Sequence, residues 1–339
     1  MQYKKITKQI MVKLLLLDFL IQSGATFSTA TFQDTKKHLL KENQSYTDGI
    51  EVKNKTTVEN EGNLSVSSDS FMTHAIKASE GSTVTLKGST IPDTRSKSIT
   101  LKPKGVLSAG LYAVDKETKI TADTIDITTK GDNSRGVIAE NEAMIEIKNS
   151  TITGNGEFSE ALLASGKNAH LTGNNMEIQA NDPYNSGVES LYGAKVNIQD
   201  SSITGNNTFF YGFVGSGHGE DTNMMINNVN INANAENSKG VIAREDTTVI
   251  SIEDRTITGN HDAFEGLHVY GEKTNLTGNK IKIEANGKKS QGIKIYDGET
   301  ISPSRTAPLR HLEQVQPFFM GKPQIGVIKR VLLTLQGDP

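Results

Sequence analysis

The chain has no cysteine and no tryptophan, and each absence narrows what it can be. Without Cys there is no disulfide framework, thiolate metal site or thiol nucleophile. The same lack suits a polypeptide exported unfolded, in which premature disulfides would block passage. Charge of one sign is also missing: 36 Lys and Arg against 39 Asp and Glu give a net charge of -3. No basic excess therefore marks a nucleic-acid protein. The apolar fraction of 35% over 339 residues is thin for a globular enzyme, but it suits a narrow structure with one inward face and a large polar exterior.

Against these absences stands a beat. Asn155, Asn181, Asn206, Asn234, Asn260 and Asn286 follow one another at gaps of 26, 25, 28, 26 and 26 residues. Three residues before each lies Ile152, Ile178, Ile203, Ile231, Ile257 or Ile283, and seven earlier again Ile145, Leu171, Val196, Met224, Ile250 or Leu276. A repeat of this length predicts a solenoid, whose units bury their apolar faces only by stacking on one another. The apolar residues alternate, as in Ile145-x-Ile147 and Val229-x-Ile231, which predicts strands and excludes helical repeats. No L-x-x-L-x-L frame supports leucine-rich repeats. A β-propeller is the rival, because Asn133-Ser-Arg-Gly136, Asn185-Ser-Gly187 and Asn237-Ser-Lys-Gly240 double the period. Propeller blades carry aromatic signatures, however, and Trp is absent.

The reading is therefore all-β: a single-stranded parallel β-helix of about nine coils, roughly 26 residues each, over residues 50–300 and on the order of 43 Å long. The two aliphatic columns point inward. The Asn column is expected at a sharp turn, where Asn tolerates the left-handed conformation and stacked amides bond from coil to coil. Ile91 and Val84 continue the columns toward the N-terminus, which places an insertion between Pro92 and Gly105.

Residues 1–30 read as an export signal: Lys4, Lys5, Lys8 and Lys13 precede an apolar stretch at 14–21, and Ser28-x-Ala30 offers a cleavage site. That stretch is too short to span a membrane as a helix, so no membrane insertion by this chain is expected. Residues 31–49 read as a cap or linker, and residues 301–339, Pro-rich and out of register, as an irregular tail or cap.

Over residues 50–300 the chain resembles the passenger domain of a bacterial autotransporter. The resemblance rests on Ser-Thr-Ile-Thr-Gly-Asn155, Ser-Ser-Ile-Thr-Gly-Asn206 and Arg-Thr-Ile-Thr-Gly-Asn260, the Asn-Ser-x-Gly turns, the absent cysteines and the Lys-rich start. It implies export to the outer-membrane surface or beyond, and adhesion to a host cell-surface or matrix protein or glycan. Such motifs specify architecture more than function. Residues 301–339 are too few for a membrane barrel, so the translocator is expected to be encoded elsewhere, or the chain to be a nonfunctional remnant.

Parallel β-helices also include polysaccharide lyases and glycoside hydrolases, whose chemistry needs a pair of carboxylates at fixed separation. The outward columns are mostly Thr, Ser and amides. Asp126 and Glu177 fall in one column, two coils apart, roughly 9.6 Å at one strand spacing per coil. Solvated face residues account for them better than catalysis does. The seven His residues show no close ligand spacing, and no metal, cofactor or catalytic residue is expected. Binding is expected on the loops that break the repeat. These are a basic group, Arg95, Lys97, Lys102 and Lys104, and an aromatic group, Phe209, Phe210, Tyr211 and Phe213, at least half of which should pack inside the coil.

Overall fold

The computed structural model describes residues 29–90, 97–218, 220–245, 248–271, 274–296 and 300–304. Apart from their inner ends, the expected export signal and C-terminal tail lie outside these residues, as do Arg95 and Ile91. The described residues form parallel strands only, apart from isolated antiparallel bridges, in one 11-stranded and one 17-stranded sheet. Each coil gives a first strand to the smaller sheet and a second and third to the larger one, and from Lys195 to Ala285 these two run on as one long strand bent between its halves. That is a β-solenoid, and the parallel pairing excludes propeller blades. Among the described residues no helix is long and apolar enough to cross a membrane.

The nine expected coils run from Ile50 to Ala285. Strands extend the stack at both ends: Ala30–Phe32, Lys37–Leu40 and Gln44–Tyr46 pair with the coil above them, and Gln291–Tyr296 and Thr300–Ser304 pair with the coil below. Among the described residues the stack thus starts at Ala30 rather than near residue 50. Ala30 lies opposite Ile50 and Gln44 opposite Leu64, so this coil is shorter than the others and breaks the 26-residue period.

Register explains the core. Leu101, Ile127, Ile152, Ile178, Ile203, Ile231, Ile257 and Ile283 lie opposite one another in sequence, and all are buried. Their branched side chains have few rotamers to lose and stack as a continuous aliphatic ridge. Val58, Val84, Ile120, Ile145, Leu171 and Val196 form a second buried column. Leu101, not Ile91, holds the ridge position in its coil, because the extra chain precedes the strand rather than following it. The insertion occupies residues 88–98. Lys102 therefore sits within the strand Ile99–Pro103, opposite Ser67.

The glycines of the Asn-Ser-x-Gly motifs serve packing as well as turning. A Cβ at Gly136 would fall 2.5 Å from Ile152 Cγ2, and one at Gly240 would fall 2.4 Å from Ile257 Cγ2. The first sheet can approach the ridge this closely because that position carries no side chain.

The Asn ladder exists, but its backbone role differs from the expected one. None of Asn155, Asn181, Asn206, Asn234, Asn260 and Asn286 has positive φ. Their side chains still bond along the axis: Asn181 Nδ2 donates to Asn155 Oδ1 at 2.9 Å, Asn206 to Asn181 at 2.9 Å, Asn234 to Asn206 at 3.3 Å and Asn286 to Asn260 at 2.9 Å. Asn206 is exposed, so water competes for these bonds. Asn206→Ala should lower stability by about 1 kcal/mol, the low end for a lost hydrogen bond pair, in a urea titration of the purified chain. A loss of several kcal/mol would mean the ladder is drier than its exposure indicates.

Candidate functional site

The left-handed residues form a different column, one at the bend between second and third strands. Thr124, Asn149, Asn175, Asp200, Asn228, Asp254 and Lys280 have φ of 57°, 51°, 50°, 50°, 48°, 47° and 50°. Asn and Asp tolerate this conformation because a short polar side chain bonds locally there. The next residue turns inward and is buried at Ile125, Ser150, Met176, Ser201, Val229 and Ile281. Ser150 and Ser201 make the bend self-sufficient. Each accepts a backbone N–H from the coil before, Ile125 at 3.2 Å and Met176 at 3.0 Å, and donates to the carbonyl two residues back at 2.6 Å.

Along this bend runs an open, polar groove of about 700 Å³. Its floor and sides are Thr124, Asn149, Thr151, Asn175, Glu177, Asp200, Ser202, Asn228 and Asn230, with Thr90 and Lys97 closing one end. It crosses six coils, about 24 Å at one strand spacing each. The lining is hydroxyls and amides, with Lys97 at the end and Glu177 and Asp200 near the middle.

The insertion forms that end. Thr90 and Lys97 make an antiparallel bridge, the Lys97 N–H donates to Asp126 Oδ2 at 2.9 Å, and Lys97 Nζ reaches Thr90 Oγ1 at 3.3 Å. Asp126 thus anchors the insertion. It does lie in register with Thr151 and Glu177, but one of its oxygens is already occupied. Glu177 Oε1 accepts from Gln179 Nε2 at 2.7 Å, and Asp200 Oδ1 from Asn228 Nδ2 at 2.7 Å. Both carboxylates are exposed.

The expected binding residues do not form two groups. Of the described members of the basic set, only Lys97 lines the groove. Lys102 and Lys104 line a separate shallow hollow with Thr128 and Lys130, and Lys104 pairs with Asp69 at 3.0 Å. The aromatic set splits as well. Phe210 and Phe213 are core residues with 1% and 0% exposure, and Tyr211 lies on the outer face of the first sheet, where burial pushes its phenol up. Phe209 is half-buried with φ 59° and stacks on Tyr184 at 4.8 Å, as Tyr184 does on Phe158 at 4.7 Å. Phe158 shares the left-handed position of Phe209, whereas Phe264 shares that of buried Phe210.

That first-sheet face also carries a charge cluster absent from the sequence expectations. Glu265 accepts from Lys239 and Lys294 and lies 2.5 Å from His268 Nδ1. Burial alone would raise its carboxyl, but hydrogen bonds from His268, Lys239 and Lys294 outweigh that and hold it well below the usual carboxylate range. Lys239, Glu265 and Lys294 come from successive coils, so this is a structural clasp across three coils. Among the described residues no group of three or more His, Asp or Glu is placed to hold a metal ion.

A scan against protein-family models finds no match, and neither does a search of curated proteins. Among solved structures, that of PfbA, a surface adhesin of Streptococcus pneumoniae, is similar at 12% identity over 78% of this chain and 85% of that one, with a TM-score of 0.22. A likeness that weak carries no argument about function, and the reading below rests on the groove.

Proposed function

We propose that the chain is an adhesin-like, surface-displayed rod of the autotransporter passenger kind that binds an extended partner along one flank and performs no chemistry on it. One observation carries this reading: a polar groove crosses six coils, and its lining is fixed in place by the repeat. A solenoid supplies a rigid, extended binding surface, and the bend column places one polar side chain per coil along it. Host cell-surface or matrix proteins and glycans are the partner class, and an outer-membrane translocator encoded elsewhere would display the rod. Nucleic acid is disfavoured by the net charge of -3.

Purified chain should bind cultured epithelial cells or immobilised matrix saturably, with Asn175 and Asn228 changed together to Ala weakening binding at least tenfold. Binding that survives this change would move the site elsewhere, and no binding to any surface would favour a nonfunctional remnant. A second reading, glycosidic bond cleavage, draws on Glu177 and Asp200 lining one groove from adjacent coils. Release of reducing ends from a polysaccharide, abolished by Glu177→Gln, would establish it in place of the first.

A further inference from the structure

The bend column contains a hydrogen-bond deficit that the chain cannot repair. Thr124 Oγ1 and Asn149 Nδ2 donate to Asp123 Oδ1 at 2.9 and 2.8 Å, and Asn175 Nδ2 donates to Asn149 Oδ1 at 2.8 Å. From the other direction Asn228 Nδ2 donates to Asp200 Oδ1 at 2.7 Å. No side-chain hydrogen bond joins Asn175 to Asp200: with its Nδ2 given to Asn149, Asn175 has only its oxygen left for the next coil, where Asp200 is a carboxylate, and neither group donates. Flipping the amides moves the fault without removing it. The run Asp123, Asn149, Asn175, Asp200 has three contacts, each needing a donor, and two amides that can each donate along the axis only once. One contact is always short. Asn175 and Asp200 are exposed in the groove, so water supplies the missing donor there and a ligand hydroxyl can take its place.

We infer that the groove binds a linear, uncharged, hydroxyl-rich glycan lying parallel to the solenoid axis, with a ring hydroxyl donating into the Asn175–Asp200 gap. This rests on the binding function proposed above and names its ligand class. The remaining lining fits: Thr151, Ser202 and Asn230 repeat hydroxyl and amide partners at the coil spacing, as a polymer of similar units requires. Met176 is the one apolar residue of the lining and it is 3% exposed, so no pocket exists for peptide side chains. Glu177 and Asp200 repel a polyanion.

Asp200→Asn tests this directly, because it supplies the third donor and closes the ladder while keeping an acceptor for Asn228. Titration calorimetry with cello-, xylo-, manno- and chitohexaose and with a heparin hexasaccharide is the measurement. At least one neutral hexasaccharide should bind and heparin should not. Asp200→Asn should weaken that binding at least tenfold while its melting temperature equals or exceeds that of the parent chain, and Lys130→Ser, outside the groove, should change neither. Unchanged affinity in Asp200→Asn, or a lower melting temperature, overturns the inference. Binding of heparin alone, or of cells and matrix but of no hexasaccharide, overturns the glycan class and leaves the adhesive function standing. Failure of every surface and every sugar overturns both.

Discussion

Replacing Ile203 by Ala should cost about 3 to 4 kcal/mol, in the range for truncating a fully buried aliphatic side chain. Ile203 has 0% exposure, lies between Ile178 and Ile231 in the ridge, and its Cγ2 occupies the space left by Gly187. The cavity cannot close by local collapse, since the backbone on either side is pinned by pairing to the coils above and below. Coil-to-coil contacts carry most of a solenoid's stability, so the loss should appear as a lowered urea midpoint for the central coils. Thr204→Ala, on the outward face of the same strand, should change stability by less than about 0.5 kcal/mol. Equal effects at the two positions would mean that the ridge is not the core.

Glu265→Gln should be the second large effect. The carboxylate is shared by Lys239, Lys294 and His268 across coils nine to eleven of the stack, counting from Ala30. Removing its charge takes away the carboxylate that the two ammonium groups share. Breaking a buried ion pair from one side costs about 3 to 5 kcal/mol, and partial water access to the lysines reduces this to about 2 to 3. The pH dependence has a definite sign. The folded-state pKa is depressed from the ordinary value of 4.5, so the clasp contributes fully above about pH 4.5 and loses its contribution progressively as pH falls toward the folded value. Because Glu265 also holds His268, whose pKa is lowered from 6.5, the comparison is read in the acid range, where the stability gap between parent and variant should narrow as pH falls below 4.5. A gap that widens toward acid pH would contradict the assignment.

Much of the fold was legible because one letter recurs where one physical demand recurs. The ridge accepts little besides Ile, and the Asn ladder needs an amide that both donates and accepts. The bend column was missed although it is as regular. Its demand is backbone φ near 50°, which Thr124, Asn149, Asp200 and Lys280 meet with different side chains, so no single letter runs through it. Leu101 was missed because Ile91 stands seven residues after Val84, mimicking the column spacing within an insertion. The coil at Ala30–Tyr46 was hidden by its shorter period and half-exposed strands. The groove is legible only in three dimensions, since its lining comes from residues 90 to 230 and is united by stacking.

The central claim, that binding lies along the bend groove, is tested most directly by hydrogen exchange read by mass spectrometry on the purified chain, with and without a saturating neutral hexasaccharide that binds. Amides at 149–151, 175–177, 200–202 and 228–230 should slow together, with the strongest effect nearest Asn175 and Asp200, while those around Phe158, Tyr184 and Phe209 and around Lys102 and Lys104 keep their rates. Protection centred on the aromatic stack or on the lysine hollow, with the bend unchanged, would contradict it.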